Sequence, residues 1–140
     1  MAVRGLKILR RRLIAISRIL PDEVGRRLDD RAQQLLGRAV AVAPELERHL
    51  VLSGRVSGVK SHKRVARAVS FDTPYAVAQH EGSFKPGPLT AAKAPTQDGA
   101  SGRKYLERPF QNMIPLVRFE VSRAPEDVAR LVVRSLRDTE

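Results

Sequence analysis

The side chains best suited to acid–base or metal chemistry are three histidines, His49, His62 and His80, in a 140-residue chain with no cysteine. A zinc or catalytic site needs several ligands, or a nucleophile, a base and an orienting group, brought together in space. The three histidines instead fall in three different kinds of sequence context. His80 and Glu81 are neighbours, so on a helix they would point about 100° apart and could not act as the paired ligands of an H-E-x-x-H site. Ser53-Gly54 lacks the glycine two positions before the serine that a nucleophile elbow requires. No phosphate loop or dinucleotide fingerprint is present, and the acidic residues are scattered instead of gathered near a lysine or histidine as metal-assisted hydrolysis demands. The residues predict no catalytic set, no cofactor and no metal: a protein that is not an enzyme.

The cations carry more information. Lys and Arg number 26 against 15 acids, a net charge of +11. Such an excess favours an anionic partner, whether nucleic acid, an acidic protein surface or anionic lipid, or it serves solubility alone. It is concentrated in two places. Residues 1–20 hold no acid, and Arg10, Arg11 and Arg12 cover most of one helical turn there. Residues 48–71 also hold none, and carry Lys63, Arg64 and Arg67. These six are the candidate contacts to a partner or to a DNA backbone. Aromatics make up 4% of the chain and tryptophan is absent, so the stacking platforms of single-strand binders are missing. Any DNA contact is expected to be to phosphates and strongly salt-dependent.

The elements that would hold these residues follow from spacing. Leu6, Leu9, Leu13, Ile16 and Leu20 recur every three or four residues, the stripe of a helix. The stripe resumes at Val24, Leu28, Ala32, Leu35 and Ala39, and Pro44 ends it. This predicts one long helix kinked near Pro21, or two in series, over about residues 3–42. Alternation at Leu50, Leu52 and Val56 predicts a strand, Ser57-Gly58 and Lys60–Lys63 a turn, and Val65, Val69 and Phe71 a returning strand. Thr73, Pro74 and Gly82 mark the ends of a two-turn helix as N-cap, first turn and left-handed C′ residue; a third strand is the alternative.

Residues 83–102 are rich in Pro, Gly, Ala, Ser and Thr and predict a long loop, mobile unless a neighbour orders it. On that reading, deleting residues 86–100 leaves the isolated fold near its original melting temperature. Beyond it, Leu106, Phe110, Met113 and Ile114 have helical spacing, Pro115 threatens a kink, and residues 117–121 could form a short strand. Pro125-Glu126-Asp127 opens a final helix with Val128, Leu131, Val132 and Leu136 as its buried stripe. The fold class is α+β in a single domain, residues 1–140, with a basic N-terminal helical extension over 1–20. No apolar run reaches the roughly 20 residues of a membrane span, and residues 1–20 lack the uninterrupted apolar stretch and cleavage site of a signal peptide.

The motifs fall in a telling order: Ala43-Pro44, Leu50-Val51-Leu52-Ser53-Gly54, the basic strand Val65–Phe71, Pro74-Tyr75-Ala76, His80-Glu81-Gly82, Lys85-Pro86-Gly87-Pro88, and Lys104-Tyr105-Leu106-Glu107-Arg108-Pro109-Phe110. In this succession, over about residues 30–137, the chain resembles the small head–tail joining proteins of long-tailed phages and prophages, also labelled neck, tail-completion or minor capsid proteins. It departs from them in its charged, double-length N-terminal helix and in Gly82-Ser83, where Gly-Thr is usual. The resemblance implies a virion structural subunit assembled in the host cytoplasm. It would form a homo-oligomeric ring, expected to be a hexamer, between a head-closure or connector protein and a tail terminator protein, close to the genomic DNA and away from membranes. Tyr75, Glu81, Lys85, Pro86 and Tyr105 are the candidate subunit-interface residues on this reading.

Overall fold

The structure, a computed structural model, describes residues 2–45, 48–60, 64–82 and 85–137. Its order is α1 (Ala2–Val42), α2 (His49–Leu52), β1 (Gly54–Lys60), β2 (Val65–Phe71), α3 (Ala76–Glu81), α4 (Pro88–Ala91) and α5 (Glu107–Arg137). The α+β architecture is the one the sequence predicts.

Of the two readings of the N-terminus, the single helix is correct, and Pro21 lies inside it. A proline removes one backbone bond and crowds the preceding turn, yet the helix runs on. The C-terminal segment corrects the expectation of several helices: α5 passes through both Pro115 and Pro125, and no strand forms at 117–121. Both prolines sit on the exposed side of α5, where a freed carbonyl can turn to water.

α1 and α5 pack antiparallel along a seam of small and medium apolar residues. Ala32, Leu35 and Ala39 are buried on one helix, and Met113, Ala124, Val128 and Val132 on the other. Leu131, expected in the buried stripe, is exposed. Ion pairs fix the register of the seam. Arg31 Nε donates to Glu120 Oε2 at 2.7 Å. Arg27 donates to Asp127 Oδ2 at 2.8 Å, to the Glu120 carbonyl at 2.7 Å and to Glu23 Oε1 at 2.8 Å. Held between Arg26 and Arg27, the Glu23 carboxyl is pulled down to about 2. Much of the chain's arginine is thus spent internally.

The hairpin β1–β2 lies along the other side of α1, pairing Gly54 with Phe71 through Lys60 with Val65. Two expectations are corrected here. Leu50–Leu52 form a helical turn, and Ser57-Gly58 and Lys60 belong to β1; the rest of the turn predicted at Lys60–Lys63, residues 61–63, lies outside the described residues. Gly58 faces Arg67 across the ladder, and a Cβ on it would come within 2.9 Å of the Ala66 carbonyl oxygen. The bare glycine lets Arg67 lie across the strand to reach Asp29, with Nη2 donating to Oδ2 at 3.0 Å. Gly58→Ala is therefore expected to cost about 1–3 kcal/mol through overpacking, visible as a lower denaturant midpoint with an unchanged slope.

At the far end, Val42, Ala43, Leu50, Ala76 and Tyr105 form the main core cluster, flanked by Val51, Phe71 and Leu106. α3 is shorter than predicted: Tyr75 stands at its N-cap instead of Thr73, and Gly82 is extended (φ −70°, ψ 152°), not left-handed.

The described part of the predicted loop is tied down at several points. Lys93 Nζ donates to the carbonyls of Val40 (3.3 Å) and Ala43 (2.8 Å), and Gly102 N–H to that of Val42 (2.9 Å). These donors satisfy carbonyls that the last turn of α1 would otherwise leave bare. Thr90 Oγ1 exchanges hydrogen bonds with Glu45 N and O at 2.8 and 3.2 Å. A turn closed by Thr96 and Gly99, with Gly99 at φ 99°, drives the Asp98 side chain inward. The deletion of residues 86–100 is accordingly expected to destabilise the fold, reversing the sequence-based expectation.

Candidate functional site

Two surfaces stand out once the fold is assembled: an arm and a groove. The arm is the first half of α1. Along its stripe, the N-terminal leucines are less buried than those nearer the middle of the helix. Leu20 and Ile16 are half-buried, while Leu13, Leu9 and Leu6 are 57%, 52% and 65% exposed. The cause is geometric. Pairing Arg31 with Glu120 and Arg27 with Asp127 sets the antiparallel register, so Arg137 of α5 reaches only about as far as residue 16 of α1. Residues 4–15 project past it for about 18 Å at 1.5 Å per residue.

Six cations decorate the arm, and among the described residues no carboxylate pairs with Arg4, Lys7, Arg10, Arg11, Arg12 or Arg18. Arg4, Lys7, Arg11 and Arg18 lie on the side opposite the leucine stripe, by the 100° helical step. Arg10 and Arg11 are exposed; Arg12 is half-buried, with its Nε shielded and unpartnered. Of the other sequence candidates, Arg64 is exposed, Lys63 lies outside the described residues, and Arg67 is committed to Asp29 with its side chain 13% exposed. The hairpin is therefore less available as a cationic face than its sequence suggests.

The groove, about 700 Å³, opens between α1, β2 and the start of α5. Its floor and walls are Leu28, Ala32, Leu35, Val69, Phe110, Met113, Ile114 and Val117, with Arg31, Arg67, Glu107 and Arg118 among its charged lining. Phe110 stands half-exposed in it. Sequence periodicity read these residues only as core. A cleft between packed elements leaves the same apolar signature as a filled interior.

His80, Glu81 and Glu107 bring ligand atoms within 4.8 Å of one another at the edge of this groove. Lys104 already provides the cation there, with Nζ 2.7 Å from Glu81 and 2.8 Å from Glu107. His80 Nε2 accepts the Glu107 N–H at 3.3 Å, leaving Nδ1–H to donate to Glu81 Oε1 at 3.0 Å. The Glu81 carboxyl is held below its usual range by Lys104 first and His80 second. Every polar atom of the trio is thus engaged in an ion-pair and hydrogen-bond network.

The five expected interface residues separate. Tyr75 and Lys85 line a second cavity of about 390 Å³ with Pro44, Leu50 and Thr90. Pro86 and Glu81 are exposed. Tyr105 is corrected: at 2% exposure it is a core residue, its hydroxyl donating to the Ala76 carbonyl at 3.2 Å. Asp98, Lys93 and Asn112, which sequence reasoning did not single out, prove to be fixed points of the fold. The Asp98-Gly99 dipeptide was the one available signal, for a turn and not for a buried charge.

Compared with known proteins, the chain matches no protein-family model, no curated protein and no solved structure.

Proposed function

We propose that this chain is a non-enzymatic structural subunit of a tailed-phage neck, a ring protein joining the head connector to the tail. The observation that carries the assembly reading is the arm. A helix that exposes three leucines on a regular stripe, beyond the body that should cover them, fits a surface completed by another molecule. The neck assignment rests on the ordered motifs from Ala43-Pro44 to Phe110. Imaging of the intact particle tests it: density for this chain between connector and tail terminator is the expected result, and its absence from the neck would sink the proposal.

The uncompensated cations of the arm favour a second reading, a basic protein on the DNA backbone. If all six cations met phosphates, log K would fall with log salt at a slope of about −5. A gel shift across salt concentrations reads this directly. Tight duplex binding by a stable monomer near physiological salt would favour this second reading over the ring.

A further inference from the structure

We propose that copies of this chain associate head to tail, the Leu6–Leu9–Leu13 stripe of one arm lying in the α1–β2–α5 groove of the next copy. This rests on the reading of the chain as a ring subunit and names the contact that would build the ring.

Four observations select a second copy as the occupant. The first is that one chain carries both halves of an apolar contact: a stripe of half-exposed leucines and a groove of about 700 Å³ with Phe110 half-exposed in it. Anchors at i, i+3 and i+7 are the pattern by which an amphipathic helix enters an apolar groove.

The arm is also unable to reach its own groove. α1 is one helix from Ala2 to Val42, and Leu28, Ala32 and Leu35 of that same helix form a wall of the groove. The two surfaces therefore have to meet between molecules.

Two arms do not suit each other, which excludes a symmetric pairing of helices. Arg10 and Arg12 flank Leu9 and Leu13, and residues 1–20 hold no carboxylate to offset them. Side by side, such helices place like charges along the seam.

Finally, the groove mixes both signs: Arg31, Arg67 and Arg118 line it, and carboxylates, which the arm lacks, stand among them. Asp29, Glu81 and Glu107 have side chains 52%, 56% and 43% exposed around it. Each is already paired within the chain, so an incoming arginine shares a carboxylate instead of stranding one. A contact that uses different surfaces on its two sides is heterologous, and closes into a ring when its rotation allows.

The absence of cysteine makes the test clean. Leu9→Cys and Phe110→Cys proteins, each with one thiol, are mixed under mild oxidation. The mixed Leu9→Cys–Phe110→Cys disulfide is expected to form at least tenfold faster than either homodimer, and tenfold faster than Leu9→Cys with Arg130→Cys, an exposed site outside the groove. Predominant Leu9→Cys homodimers would instead mean arm-to-arm pairing and overturn the proposal. In parallel, mass photometry compares the native chain with Leu9→Glu/Leu13→Glu. Both leucines are more than half exposed, so the variant should keep its melting temperature and lose its oligomers. Oligomers that survive in the variant overturn this interface while leaving the ring reading intact. A native chain that stays monomeric at all concentrations overturns the self-contact, and so does a monomer whose arm binds phosphatidylserine vesicles; the ring reading itself stands or falls on the image of the intact neck.

Discussion

Replacing Asp98 with alanine is expected to lower stability by about 3–5 kcal/mol, the cost of leaving a buried charge without its partner. The Asp98 side chain is 1% exposed and that of Arg38 18%. Arg38 grips it in a bidentate pair, with Nε to Oδ2 at 2.7 Å and Nη2 to Oδ1, while Asn112 Nδ2 donates to Oδ1 at 2.9 Å. One carboxylate thus ties the predicted loop to both long helices. For a domain of this size the loss corresponds to roughly 10–20 °C in Tm, measurable by calorimetry. Arg38→Met alone should fall by a similar amount, and Arg38→Met with Asp98→Leu should recover much of the loss, because an apolar pair strands no charge. Additive losses in the double variant would refute the buried-pair argument.

The same site sets the acid limit. The Arg38 guanidinium holds the Asp98 carboxyl below its ordinary range, and Glu23 is held at about 2 by Arg26 and Arg27. Carboxyls depressed in the folded state contribute stability that is present above their unfolded value, about 4, and disappears as pH falls through the folded value. Tm should therefore drop between about pH 4 and pH 2, and Glu23→Gln should flatten part of that drop.

Tyr105→Ala is the second large effect, expected at about 3–5 kcal/mol as for other buried aromatics cut to alanine. The ring meets Phe71 and His80 edge-on, each at 5.1 Å between centroids. It thereby joins the hairpin and α3 at the start of α5. Tyr105→Phe should cost only about 1 kcal/mol, that of the hydrogen bond to Ala76. Burial pushes the phenol up to about 12. A group raised in the folded state stabilises fully below its unfolded value, near 10, and loses that contribution as pH climbs through the folded one. An alkaline fall in Tm from about pH 10 to 12 should be smaller in Tyr105→Phe. An equal fall in both proteins would remove Tyr105 from the account.

Sequence spacing foretold α1 because its stripe runs at one period from Leu6 to Ala39, and β2 because valine and phenylalanine alternate up to Asp72. It misplaced the start of β1 because three apolar residues, Leu50-Val51-Leu52, suit a helical turn as well as a strand. It broke α5 at Pro115 and Pro125 because a proline's effect depends on which side of the helix it faces, and that is a tertiary fact. The arm was legible as a basic apolar helix, but its nakedness was not. Exposure of Leu6, Leu9 and Leu13 follows from how far α5 extends once Glu120 meets Arg31. The groove was hidden for a related reason, since a wall and a core have the same composition.

The ion pairs along α1 have a further consequence, for the order of events during synthesis. Arg27 and Asp127 are 100 positions apart, Arg31 and Glu120 89, and Arg38 and Asp98 60. α1 emerges from the ribosome well before α5, its main partner. Until residues 107–137 are made, Ala32, Leu35 and Ala39 lack the helix that covers them, so the side of α1 turned away from the hairpin waits bare. Loop-closure entropy must be met before those distant contacts reward it. The nascent chain is therefore most prone to aggregate during elongation, and a cell that makes this protein in quantity must shelter α1 until α5 arrives.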